Sequence, residues 1–117
     1  MMCQNACVLV LEDDPLISLD AEDMLTELGA RAVLLAHTIE EAAAFLATQQ
    51  IDLAMLDLRI GTTRSDTFAL ALAQRGVPFI VTSGYGPDPD LHSPLADIPA
   101  VGKPYTAADL RRAFSQL

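Results

Sequence analysis

Four short polar clusters carry the chemistry this sequence can offer. They are Glu12-Asp13-Asp14, Asp57, Thr82-Ser83 and Lys103, and each directly follows or ends an apolar run. Carboxylates brought together in a low-dielectric cleft repel one another by several kcal/mol unless a cation intervenes. A hard divalent ion with oxygen ligands suits Glu12, Asp13 and Asp57, and Mg²⁺ is typically held by one or two carboxylates plus water and a substrate phosphate. Lys103 adds a positive charge for a phosphoryl oxygen, and a hydroxyl of Ser83 or Thr82 can donate to another. Taken together, these groups describe phosphoryl transfer to a carboxylate nucleophile. Singly, each has a plainer reading: an acidic helix cap, a turn aspartate, a solvated loop lysine.

The clusters matter only if the fold gathers them, and the apolar pattern says how. Ala6 to Leu11 is a continuous apolar run, the signature of a strand buried on both faces. Asp14 and Pro15 then suit the N-cap and first position of a helix carrying Ile17, Ala21, Met24, Leu25 and Leu28, which Gly29 stops. Arg31 to Ala36 reads as the second strand. Thr38 and Glu41, three residues apart, form a capping-box pair opening an Ala-rich helix to about Gln49.

The third strand is Ile51 to Leu56, ending at Asp57. A loop from Arg59 to Ser65 contains Gly61, and a helix follows from Asp66 to Gln74, stopped near Gly76. Val77 to Val81 is the fourth strand. Between Gly84 and Pro99, four prolines argue against a long helix, leaving at most a short turn between Asp90 and Ala96. Ala100 to Gly102 is a short fifth strand. Thr106 and Asp109 can cap a last helix with core residues Leu110, Ala113, Phe114 and Leu117.

Strands alternating with helices predict an α/β domain with a doubly wound, five-stranded parallel sheet. Its ligand site then lies at the carboxyl ends of the strands, at a topological switch point. In the flavodoxin-like order 2-1-3-4-5, with a shortened or irregular fourth helix, strands one and three are neighbours there. Glu12, Asp13 and Asp57 converge, and the strand ends carry acid, acid, hydroxyl and lysine.

Composition narrows the partners. The 117 residues suit one domain, 1–117, and 51% are hydrophobic, enough for a core. Sixteen acids against seven bases give a net charge of −9, which argues against nucleic acid and anionic membrane surfaces. Cys3 and Cys7 lack the companions of a zinc site and read as ordinary thiols. With no membrane-length apolar run and no signal-peptide pattern, a cytoplasmic location is expected.

Three segments together bear a specific resemblance. Val8-Leu9-Val10-Leu11-Glu12-Asp13-Asp14-Pro15-Leu16-Ile17, Ile51 to Leu58 and Gly102-Lys103-Pro104-Tyr105 resemble the opening strand, phosphoacceptor strand and lysine motif of bacterial two-component response-regulator receiver domains. The resemblance covers essentially the whole chain. It implies that Asp57 is the phosphoacceptor. Asp13, Asp57 and the Arg59 backbone carbonyl would bind Mg²⁺ directly, with Glu12 acting through water. It makes Ser83 the switch hydroxyl, five residues after Pro78, with Thr82 as the fallback. The implied partners are a sensor histidine kinase or histidine phosphotransfer protein and a downstream protein target. The chain would act as a monomer or weak homodimer, catalysing its own phosphorylation and dephosphorylation rather than turning over a metabolite.

The sequence departs from that pattern in places. Ala100 stands where many receivers carry an aromatic switch residue, with Tyr85 as a possible substitute. Pro78 to Tyr85 is similar to an atypical subgroup with a Phe-Ala-Thr-Gly-Tyr-like fourth strand and a remodelled fourth-helix face. Arg59 and Tyr85, two residues beyond Asp57 and Ser83, flank the expected approach of water in dephosphorylation. The main alternative is a phosphorylation-independent interaction module on the same fold. A flavin or nucleotide binder would need a Gly/Ser/Thr-rich loop where Glu12 to Pro15 stand, and an aspartyl-phosphate phosphatase would need a second acid where Arg59 stands.

Overall fold

Strand β1, Cys7–Leu11, is buried along its whole length, and its side chains divide between the two faces of a sheet. Leu9 and Leu11 enter one core while Val8 and Val10 enter the other. The same period of two runs through β3, Leu53–Asp57, where Ala54 and Leu56 face the first core and Leu53 and Met55 the second. A continuous apolar run is therefore required, since neither face meets solvent. The computed structural model describes residues 3–84 and 97–117.

Helix α1, Pro15–Glu27, crosses to β2, Ala32–Ala36, and α2, Ile39–Thr48, returns to β3. Beyond β3 come two short strands, β4 (Arg59–Ile60) and β5 (Thr63–Arg64), then α3, Asp66–Gln74. Strands β6, Phe79–Ser83, and β7, Ala100–Gly102, complete the main sheet, and α4, Ala107–Ser115, lies against it. The main sheet has the order β2-β1-β3-β6-β7, and its neighbouring strands are parallel. Counting main-sheet strands alone, this is the expected order 2-1-3-4-5.

Helices α2 and α3 cover the first core with Ala42, Phe68, Ala69 and Leu72. Helices α1 and α4 cover the second with Ala21, Leu25, Leu110, Ala113 and Phe114. Fully buried alanines on both faces let the helices approach the sheet closely. Among the described residues no helix is long and apolar enough to cross a membrane.

The structure corrects four local expectations. The third strand begins at Leu53, two residues later than Ile51, because the Asp52 side chain, not a backbone carbonyl, accepts the Cys7 N–H at 2.8 Å. The fourth main-sheet strand begins at Phe79, two residues later than Val77, because the Val77 N–H closes the end of α3 on Leu72 O and Pro78 has no N–H. The Arg59 to Ser65 loop is a small antiparallel hairpin, with Arg59 opposite Arg64 and Ile60 opposite Thr63. Its turn uses Gly61 at φ +62°, a left-handed conformation suited to glycine. At α2 only half of the capping box forms. Thr38 Oγ1 accepts the Glu41 N–H, but the Glu41 carboxylate takes the His37 N–H at 2.7 Å instead of that of Thr38. The expected turn within Asp90–Ala96, and Tyr85, lie outside the described residues.

Candidate functional site

The three acids after β1 have separate employments. Asp14 is the N-cap of α1, its carboxylate accepting from the Leu16 and Ile17 N–H groups at 2.9 and 3.4 Å. Glu12 turns inward and is buried, with Oε2 accepting the Asp14 N–H at 3.0 Å. Asp13 stays exposed, and its Oδ2 accepts the Gly61 N–H at 2.8 Å.

Because β1 and β3 pair directly, Glu12 and Asp13 arrive beside Asp57. One carboxylate oxygen from each of Glu12, Asp13 and Asp57 lies within 4.8 Å of the other two. The end of β7 supplies the counter-charge. Lys103 Nζ meets Asp57 Oδ2 at 2.7 Å and is in ion-pair contact with Glu12 Oε1. The Lys103 N–H is tied to Ser83 O at 2.8 Å, which sets where the side chain departs from the sheet. The Lys103–Pro104 peptide bond is cis.

The electrostatics follow from burial and pairing. Burial raises the Glu12 pKa above its ordinary value, although Lys103 opposes it. Burial alone would lower the Lys103 pKa, but the Asp57 and Glu12 carboxylates outweigh it and leave the ammonium more firmly protonated. Desolvation of Asp13 is outweighed by the Gly61 N–H and neighbouring groups, so its pKa is lowered. Three carboxylates against one ammonium leave a formal charge of −2 when all are ionised. Like charges about 5 Å apart repel by roughly 3 kcal/mol per pair at an effective dielectric near 20.

That donor set fits a hard divalent cation. Its charge matches the excess, and every candidate ligand is an oxygen. Glu12 Oε1 is fully buried and accepts no aligned hydrogen bond, although it lies against the lysine ammonium. A buried acceptor without an aligned donor is costly, and a cation nearby would offset that cost.

The hydroxyls are placed differently. Thr82 is the register partner of Asp57 and is buried, with Oγ1 3.5 Å from Leu56 O. Ser83 ends β6 one residue further on and is partly exposed. The Arg59 N–H donates to Asp57 Oδ1 at 3.0 Å, so both oxygens of Asp57 already have a donor. Ala100 is exposed at the start of β7, with its place in the sheet set by Val81 opposite.

Two contributors were not foreseen as site residues. Gly61 stood out only as a loop glycine, yet its N–H reaches a carboxylate 48 positions away. Ser65 precedes α3, where its type suggests a helix cap, but its side chain makes no capping bond. It is fully buried and donates instead to Asp57 O at 2.7 Å, while its N–H bonds Leu58 O at 2.9 Å. Ser65 therefore closes the base of the hairpin onto the strand end that carries Asp57.

No protein-family model matches the chain, and no curated protein matches it. Solved structures do. The solution structure of SdrG from Sphingomonas melonis Fr1 is 34% identical, with a TM-score of 0.82, covering 98% of this chain and 97% of that one. The BeF3-activated conformation of SdrG from Pseudomonas melonis Fr1 is 32% identical, with a TM-score of 0.79 and 97% of each chain covered. The REC domain of the response regulator PhyR from Erythrobacter litoralis is 28% identical, with a TM-score of 0.74, over 97% of this chain and 89% of that one.

Proposed function

Because the chain belongs to the response-regulator receiver family, we propose that it accepts a phosphoryl group on Asp57 from a histidine kinase or histidine phosphotransfer protein, with Mg²⁺ as cofactor. The observation that carries this reading is the Lys103 ammonium, bridging Glu12 and Asp57 from a different strand end. In the transfer, an Asp57 carboxylate oxygen forms the new P–O bond as the donor's P–N bond breaks. The donor ring, protonated on its other nitrogen, takes the bonding pair and leaves as neutral imidazole. Mg²⁺, when bound, neutralises charge on the phosphoryl oxygens, and Glu12, Asp13 and Asp57 are the residues that would hold it, with the Arg59 carbonyl as a further ligand.

The chain's own groups do the rest. Lys103 keeps its contact with Glu12 while its remaining donors turn from Asp57 to a phosphoryl oxygen. The Arg59 N–H fixes the nucleophile's carboxylate. Ser83 is the better hydroxyl for signalling the phosphorylated state, because it ends β6 partly exposed whereas Thr82 is buried within the sheet. Output is binding of a downstream protein or onward relay of phosphate.

Amide NMR with Mg²⁺ and beryllofluoride tests this reading. Metal-dependent shifts at Asp13, Asp57, Ser83 and Lys103, absent in Asp57→Ala, are expected. A wild-type protein with no metal-dependent response would instead be a phosphorylation-independent docking module.

A further inference from the structure

The cation site has one exposed carboxylate, and exposure is a problem for a side-chain ligand. A surface aspartate samples several rotamers, and each must be given up when an ion binds. Asp13 is that residue, while Glu12 is buried and Asp57 is held by Lys103 and the Arg59 N–H.

The hairpin addresses this. Arg59 and Gly61 are alternate residues, and their N–H groups reach Asp57 Oδ1 and Asp13 Oδ2 at 3.0 and 2.8 Å. The hairpin is itself fixed, with Ile60 buried in the first core and Ser65 pinned to Asp57 O and Leu58 O. At Gly61 a Cβ would meet nothing within 4 Å, so the constraint on this position is its φ of +62° and its N–H, not space.

We propose that Gly61 is a positioning residue for the cation site: its N–H holds Asp13 Oδ2 and leaves Oδ1 of that carboxylate for the ion. The inference rests on the Mg²⁺-dependent reading above and adds to it a backbone donor that sets metal affinity. Asp57 and Asp13 are then oriented from one rigid ribbon, so the hairpin and the ion stabilise each other.

The test uses the full chain and Mg²⁺ alone. In wild-type protein, a through-hydrogen-bond NMR coupling between Gly61 N and the Asp13 carboxylate carbon is expected, with and without Mg²⁺. An amide-to-ester replacement at Gly61 removes the N–H while leaving the left-handed conformation open, and is expected to weaken Mg²⁺ binding about tenfold by calorimetry, the scale seen when a ligand's hydrogen-bond partner is lost. Gly61→Asn keeps the donor and tolerates the left-handed conformation, so it is expected to bind within about twofold of wild type. The wild-type coupling does not depend on any variant folding, and its absence overturns the inference by itself. Unchanged Mg²⁺ affinity in a folded protein lacking the donor overturns the inference and leaves the phosphoacceptor reading standing. A wild-type protein that binds no Mg²⁺ overturns both.

Discussion

At the scale of single residues, the lysine motif does more than present an ammonium. Tyr105, two positions beyond Lys103, is buried in the second core between the site and α4. Burial, with the nearby Glu12 carboxylate, pushes its phenol up to about 12. The unfolded chain therefore releases this proton first as pH rises. The resulting stability is fully present below the ordinary value near 10 and is lost as pH climbs through about 12. In Tyr85→Phe, where Tyr105 is the remaining tyrosine, phenolate absorbance is expected to rise well above pH 10, together with unfolding; a midpoint at 10 in folded protein would contradict this. The acids and the lysine were legible in the sequence because they sit where apolar runs stop. Gly61 and Ser65 were not, because their contributions are made by a backbone N–H and by a hydroxyl diverted from capping to a strand carbonyl.

At the scale of elements, α4 shows how a polar helix is held to a sheet. Thr106 Oγ1 accepts the Asp109 N–H at 3.2 Å and Asp109 Oδ2 accepts the Thr106 N–H at 2.9 Å, a complete capping box. Thr106→Ala is expected to cost about 1 kcal/mol in chemical denaturation, and no loss would mean that Leu110 and Phe114 alone set the helix. The Thr106 N–H also lowers the Asp109 pKa. That part of the cap's contribution is present above the ordinary carboxylate value and is lost as pH falls through the lowered folded one. Thr106–Asp109 and Thr38–Glu41 have similar spacing, yet only the first closes a full box. Glu41 finds the His37 N–H instead, and spacing alone does not report that competition. The hairpin was equally hidden, because its strands are two residues each and carry too little apolar pattern to register as strands.

At the scale of the whole molecule, strand order was legible from the alternation of elements, and strand order is what assembles the site. Residues 12, 13, 57 and 103 meet because β1, β3, β6 and β7 are successive neighbours in one parallel sheet. An assembly with excess negative charge gains stability from any cation that binds the native state alone. At an Mg²⁺ concentration 100 times the dissociation constant, that gain is about 2.7 kcal/mol. Thermal unfolding is expected to shift upward by about 10 °C, to reverse with a chelator, and to lose most of the shift in Asp57→Ala. A melting temperature indifferent to Mg²⁺ would argue against the site.

The placement of Lys103 on the last strand also has a consequence in time. On a ribosome the acids emerge first, and Lys103 follows Asp57 by 46 residues. At roughly 5–20 residues per second, that interval lasts about 2–9 seconds. During it, Glu12, Asp13 and Asp57 repel one another without their lysine, and docking of β3 beside β1 is opposed at its carboxyl end. The strand that completes the sheet is thus also the one that brings the chain's own cation, so the newborn site falls from a formal charge of −3 to −2 only when β7 lands.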